Sequence, residues 1–498
     1  MPDNDASPAM RRSLGAWGTG AIAAASIAAT TSIGVGMGAL ASAAGAQAPA
    51  VLLIAFLPIL GVAVAFSRLN RVEPNCGNGY VWVRRSLGPW LGFVTGWINL
   101  AGGVIYGSYA TVLAGSVVLQ FTEQAGLTRI GAVTLNANST AQSTLAGFLV
   151  LGVTAWVAVV GIKHVANVQG VLLVFEYAVL IVFCGWAMVR GSHPFSRSWF
   201  NPFATPDTMA LAQGVVVAVY FYWGWDTAYG VTEESRSHRA TARGSYLALF
   251  VTLALFVYCA VALQRMMSLQ QLINDGPQAI TVLGRELAAN PVALLPPLAL
   301  GVSAISAIQS GLVPTVRSVL AMGRDGTLGK RWATVNPRFG TPLAGTVLIA
   351  CVGAAIALAS LTVPDLNQVV IAVADSIGLI VSLYYGLTAI ACAVRFRALR
   401  GMAAMTAVVV PALSGLCLLT AGAQLAYDYA TTSSGFAFNA NNGWFLLVVP
   451  TAIIASGLVM AAIAKWVRKS PYFEPQPAAA ASFLPLNAGV ARAASSDR

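Results

Sequence analysis

The amino-acid sequence predicts an all-α polytopic membrane protein with about twelve transmembrane helices. Three observations carry that prediction. Hydrophobic residues make up 57% of the 498 positions, while Asp, Glu, Lys and Arg together make up only 9%, against roughly a quarter in a soluble domain. So few charges cannot cover a water-soluble globule of this size. The apolar residues also gather into long runs, and a hydrocarbon core ~30 Å thick is crossed by about 20 residues of helix. Finally, Lys and Arg fall almost entirely in the segments that successive crossings put on one face.

Each expected span is an apolar run bounded by charge, Pro, Asn or Gly. The first, 20–41, follows Arg11 and Arg12; the second, 51–66, runs into Arg68 and Arg71. The third, 90–118, opens after Pro89, the fourth, 144–161, stops before Lys163, and the fifth, 167–189, closes at Arg190. The sixth, 212–231, lies between Asp207 and Glu233-Glu234, and the seventh, 246–263, between Arg243 and Arg265. The eighth, 294–322, ends at Arg324; the ninth, 343–361, starts after Pro342; the tenth, 369–393, ends at Arg395. The last two are 402–423 and 444–464, the latter ending at Lys465. Between them, 73–87 is expected to dip as a loop before the third span, and 268–290 to form a polar, partly helical connection outside the bilayer.

An even number of crossings puts both termini on one side. Positively charged segments are retained in the cytoplasm. With cytoplasmic termini, only five of the 28 basic residues, Arg129, Arg190, Arg197, Arg265 and Arg285, lie outside. A multi-pass protein of the plasma membrane is expected, and the net charge of +11 then needs no nucleic-acid partner. The six cysteines are scattered, mostly inside apolar runs, so they read as small core residues with no disulfide framework and no zinc site. No metal or cofactor is implied. Residues 1–18 read as an N-terminal tail, 19–468 as the transmembrane domain, and 469–498, rich in Ala, Pro and Ser, as a disordered tail.

Two spans break the rules of a membrane helix. Ser32-Ile33-Gly34-Val35-Gly36 lies in the middle of the first, and Tyr222-Trp223-Gly224-Trp225-Asp226 in the middle of the sixth. Backbone polar groups in lipid must be satisfied internally, so such interruptions suggest chain opened onto a cavity. Small residues also serve close helix packing, the commoner use when a single stretch is considered. Breaks in spans one and six, however, are spaced as two five-helix repeats would space them, which points to a transporter site at the midplane. Free N–H groups at an unwound helix end suit an anion, and freed carbonyls a cation; an amino acid offers both. Three carboxylates fall within spans: Glu176, Asp226 and Asp375. Each costs ~3 kcal/mol or more at membrane depth, which makes each a candidate proton carrier, with hydrogen-bonded helix glue as the alternative.

Further stretches bear a resemblance. Pro74-Asn75-Cys76-Gly77-Asn78-Gly79-Tyr80-Val81-Trp82 with Leu87-Gly88-Pro89-Trp90, then Glu233-Glu234-Ser235, then Ala321-Met322-Gly323-Arg324-Asp325-Gly326 and Val335-Asn336-Pro337-Arg338, resemble blocks of the amino acid–polyamine–organocation (APC) permeases. The resemblance spans nearly the whole chain except the tails. It implies two inverted five-helix repeats, about 19–190 and 209–394, plus two C-terminal helices in about 402–468. It further implies alternating access, with Ser32 to Gly36 receiving a substrate carboxylate, and Tyr222 to Asp226 supplying carbonyls and an aromatic lid drawn from Trp223 and Trp225 with Phe221 and Tyr222 beside them. Many proton-coupled members carry a Lys in the fifth helix; here Glu176 is the only ionisable group of that span. Ser303 and Ser306 in the eighth span are candidates to offer hydroxyl oxygens to a cation site, with hydrogen bonding to the helix backbone as the commoner role of such serines. Glu233, Glu234 and Arg324, with Arg317 and Arg338 nearby, are candidates for an inner gate.

The function expected is proton-coupled uptake of an amino acid, a small-molecule substrate, through the lipid bilayer. A polyamine or organic-amine permease or exchanger is the alternative, and a nutrient-binding sensor ranks below it. An intramembrane enzyme has little support: His164, His193 and His238 lie far apart without metal-site spacing, and Gly329-Lys330 lacks the rest of a phosphate loop.

Overall fold

The fold, described from a computed structural model, covers residues 10–124, 126–205, 208–275, 278–359, 361, 366–431 and 445–474. It is a helical bundle. The helices are α1 Ala16–Ile27, α2 Ala29–Ala44, α3 Ala48–Val72, α4 Gly79–Leu87, α5 Pro89–Gln124, α6 Thr140–Val160, α7 Ile162–Arg190, α8 Thr208–Phe221 and α9 Thr227–Gly230. They continue as α10 His238–Met266, α11 Leu269–Asn274, α12 Ala279–Leu287, α13 Leu295–Arg324, α14 Leu343–Ala359, α15 Leu366–Arg395, α16 Gly401–Ala404, α17 Val410–Thr431 and α18 Phe445–Ala462. A two-stranded hairpin, β1 Arg129–Ile130 with β2 Val133–Thr134, links α5 to α6.

Among the described residues nine helical stretches are long and apolar enough to cross a membrane, and Ala210–Phe221 and Leu343–Ala359 are shorter apolar helices. The sixth expected span is cut by a turn at 222–226, and the ninth is described over Leu343–Ala359. The first is cut as well, but four residues earlier than expected. Ala28 takes a left-handed conformation, φ 51 and ψ 57, and separates α1 from α2. Ser32 to Gly36 are therefore helical rather than unwound. Their small residues serve close packing: Gly36 lies against the Phe221 ring, and Gly34 against Ile280 and Leu300.

Packing in the middle of the bundle is dominated by α5, which lies against α13 and α6, and by α15 against α17 and α5. Near the end where α1 begins, Phe66 of α3 makes edge contacts with Trp82 (5.3 Å), Trp225 (5.1 Å) and Tyr385 (5.9 Å between centroids). Such pairs contribute about 0.5–1.5 kcal/mol each beyond area burial. They fix the broken sixth span against α3 and α15.

The 73–87 segment folds as a turn followed by α4. The C-terminal tail departs from expectation. Instead of beginning disorder at 469, the chain stays packed through 474. The Tyr472 ring stacks on Tyr80 at 4.5 Å and its hydroxyl donates to the Tyr80 carbonyl at 2.9 Å. An aromatic residue flanked by a usable stack outweighs the low-complexity composition that follows it.

Candidate functional site

The two helix breaks meet. Gly224 has φ +116, and a Cβ on it would sit 2.6 Å from the Ser26 carbonyl, so only glycine permits the turn of the sixth span to lie on the break of the first. Beside this contact lies a small cavity of about 30 Å³, with Ser26, Asn78, Asn99, Tyr106, Trp223 and Asp226 among its walls. That is room for about two waters. No Lys, Arg or His lines it, so Asp226 is its one charged wall residue among those described.

Backbone groups freed at the first break find local partners. The Ser32 hydroxyl donates to the Ile27 carbonyl at 3.0 Å, and the Thr31 N–H donates to Ser303 Oγ at 3.4 Å. At the second break the Tyr385 hydroxyl donates to Asp226 Oδ1 at 2.8 Å and accepts from the Gly224 N–H at 3.5 Å. One phenol thus ties the carboxyl to the turn that carries it.

The expected site residues separate into two groups. Trp223, Gly224 and Asp226 reach the cavity; Trp223 stands edge-on to Tyr106 at 5.1 Å. Trp225 is fully buried behind them against Phe66 and Tyr385, and Tyr222 is turned away, its hydroxyl donating to the Leu52 carbonyl at 2.9 Å. Phe221 is buried against Gly36. Ser32, Ile33, Gly34 and Gly36 sit on α2 outside the cavity wall, and the side chain of Val35 lies outside the described residues. The residue of the first span that does line the cavity is Ser26. Asp375 lies on α15, its side chain also outside the described residues.

Glu176 occupies a separate place. Fully buried on α7, it accepts from the Thr30 hydroxyl at 3.1 Å. It therefore ties α7 to α2 just beyond the first break, while Asp226 faces the cavity.

At the end where α1 begins, two ion pairs close the structure. Arg317 and Glu234 are each 1% exposed and meet in a forked pair at 2.8 and 3.0 Å, with Arg317 also donating to the Val313 carbonyl at 3.3 Å. Arg324 pairs with Glu233 at 2.8 Å, partly exposed. The Ser13 and Leu14 N–H groups donate to the Glu234 carbonyl, which ties the start of the chain to the same point. Cys76 lies between the pairs. Its N–H donates to Glu233 Oε1 at 3.1 Å, and its thiol donates to the Arg317 carbonyl at 3.5 Å. Burial, then the Glu233 carboxylate, push that thiol well above its usual range. Glu233 itself is held below the usual carboxylate range: burial opposes this, but the bond and charge of Arg324 and the Cys76 N–H outweigh it. Arg338 instead lies over the ring of its neighbour Phe339.

Sequence reasoning missed Tyr385, Tyr106, Asn78 and Asn99. A Tyr384-Tyr385 pair in the tenth span carried a signal, since hydroxyls inside an apolar helix need partners. The others look like ordinary helix or loop residues until the third span is folded against the sixth.

A family model described as Amino acid permease matches residues 14–449. The low-affinity putrescine importer of Escherichia coli (strain K12) is 22% identical over 320 residues, covering 61% of this chain and 65% of that protein. The large neutral amino acids transporter small subunit 2 of Homo sapiens is 24% identical over 352 residues, covering 68% and 60%. The methylthioribose transporter of Bacillus subtilis (strain 168) is 26% identical over 320 residues, covering 62% and 67%. The aligned stretch thus spans less than two thirds of the length of the first two. With the family model covering most of its length and two broken spans meeting at one cavity, the chain belongs to the amino acid permease family and is an APC-type permease.

Proposed function

We propose that this chain is a secondary active transporter that carries an amino acid inward across the plasma membrane, coupled to a proton, by alternating access. Twelve crossings arranged as two inverted five-helix repeats plus two helices, with cytoplasmic termini, complete the reading. The observation that carries it is the meeting of the Gly224 turn with the Ser26 break beside a cavity walled by Asp226. A substrate amino group is placed against Asp226 and the carbonyls of the 222–226 turn, with Trp223 as the aromatic cover. The backbone of the first break, beside Ser26, faces the substrate carboxylate. Glu176 carries the coupling proton, and the Arg317–Glu234 and Arg324–Glu233 pairs act as the inner gate.

A second reading is favoured by one observation: a cavity with a carboxylate and no basic side chain suits a solute that is only cationic, such as a diamine. The similar protein of Escherichia coli is a low-affinity putrescine importer, which supports this reading. The test is flux in proteoliposomes of the purified protein, with labelled amino acids and putrescine, with and without an inward proton gradient. Gradient-stimulated uptake of an amino acid supports symport; flux only against solute loaded on the opposite side makes the protein an exchanger. Asp226→Asn is expected to abolish or strongly reduce uptake while the protein stays in the membrane, and undiminished uptake removes Asp226 from the mechanism.

A further inference from the structure

Between α2, α7 and α13 lies a file of buried polar groups that the cavity does not use. At one level stand Thr31, Glu176 and Ser303; one to two turns further along, Ser306, Gln169 and Gln309. Gln169 Nε2 donates to the Ser306 carbonyl at 3.1 Å and to Gln309 Oε1 at 2.9 Å. The helices run antiparallel here, so the seven residues from Glu176 to Gln169 and the six from Ser303 to Gln309 cover the same ~10 Å. Five atoms along this file have no partner among the described residues: Thr31 Oγ1, Glu176 Oε1, Ser306 Oγ, Gln169 Oε1 and Gln309 Nε2. All belong to residues at least nine-tenths buried.

A buried polar atom without a partner costs about 1–3 kcal/mol. One such atom is tolerable; five on neighbouring turns of α2, α7 and α13 are the kind of set that ordered water satisfies. The set mixes acceptors, a donor and hydroxyls able to do both, as a chain of ordered waters requires.

We propose that Gln169, Ser306 and Gln309 hold a water file that carries the proton from Glu176 toward the inner face. The inference rests on the proton-coupled reading above. In the transfer, the O–H bond of the Glu176 carboxyl breaks, its proton passes to the adjacent water, and each water hands one proton on, leaving the carboxylate and delivering one proton to the inner solution. The phenols of Tyr106 on α5 and Tyr177 on α7 lie close enough to feel the Glu176 carboxyl, and neither belongs to the file. One turn past the glutamines on both helices stand Val165 and Val313, fully buried, and one turn beyond on α13 is Arg317 in its pair with Glu234. The apolar layer stops the file short of the inner solution while that pair is closed. Proton release is thereby made to wait for the opening of the same end.

The experiment uses the full chain in proteoliposomes containing a pH-sensitive dye, with leucine and putrescine as the driven solutes, and compares wild type with Gln169→Met, Gln309→Met and the double variant. The expected result is a drop of about tenfold or more in gradient-driven accumulation and in solute-linked proton entry. Solute exchange at equal acidic pH on both sides, which needs no proton release, stays within about twofold of wild type. Gln309→Glu, which keeps a hydrogen-bonding group in place, retains proton entry. Parallel loss of exchange and accumulation would show that the pair merely ties α7 to α13 and overturns the proposal, as does no change in either. Absence of proton entry in the wild type overturns the symport reading itself and the relay with it, a result read before any variant is made.

Discussion

The Arg317–Glu234 pair offers the sharpest test of how the basic end of the bundle is held shut. Both side chains are 1% exposed and share two hydrogen bonds, so Glu234→Gln leaves a guanidinium buried against a neutral amide. Removing one partner of a buried pair costs about 3–5 kcal/mol, whereas replacing both by apolar groups of similar volume is often neutral. Because the pair joins the segment after the sixth span to α13, and the Glu234 carbonyl also holds Ser13 and Leu14, the cost is expected to fall on the closed arrangement. A native reporter is present: Cys76 donates to the Arg317 carbonyl and is fully buried, its thiol pushed well above its usual range by burial. Where opening precedes reaction, alkylation of Cys76 scales with the open population. A loss of about 3 kcal/mol then raises the rate about a hundredfold in Glu234→Gln. Arg317→Met combined with Glu234→Leu returns it toward wild type. The assay is maleimide labelling in membranes, with Cys351 and Cys417, the two exposed cysteines, changed to Ser. A Glu234→Gln protein labelled at the wild-type rate would refute the argument.

Other expectations follow from the same geometry. Gly224→Ala places a Cβ 2.6 Å from the Ser26 carbonyl at a positive φ, costing at least ~1 kcal/mol and abolishing uptake; normal flux would show that the breaks need not touch. Glu233 has a folded pKa held below its ordinary 4.5, so its pair with Arg324 stabilises the protein above that value and the contribution is lost as pH falls through the lower folded value. Thermal midpoints of wild type and Glu233→Gln in detergent should therefore differ at neutral pH and converge well below pH 4.5; a constant difference counts against the pair. Tyr472→Ala removes a ring that is 1% exposed, stacked on Tyr80 and covered by Arg84 at 4.2 Å. The expected loss is about 3 kcal/mol, read as a lower thermal midpoint, and an unchanged midpoint would mean that the 470–474 segment is not held.

The helical membrane class and the unusual placing of Asp226 and Glu176 inside apolar runs were legible in the residues. Hydrocarbon thickness and the cost of buried charge act on any helix alone, without knowledge of its neighbours. The sixth break was legible too, because Gly224 sits among aromatics beside an acid. The first was placed four residues late, at the glycines. The left-handed residue is Ala28, next to the Ser26–Ile27 backbone on which the Gly224 turn lies, while Gly34 and Gly36 serve packing against Ile280 and Phe221. Pairings across the chain were out of reach for the same reason. Tyr385 with Asp226, Arg317 with Glu234 and Gln169 with Gln309 join residues at least 83 positions apart, and only folded helices decide which polar groups share a dry interior. Sequence by itself determined what each span can tolerate; tertiary structure decided which buried polar group meets which, because partnership in a low-dielectric core depends on distances that no local pattern encodes.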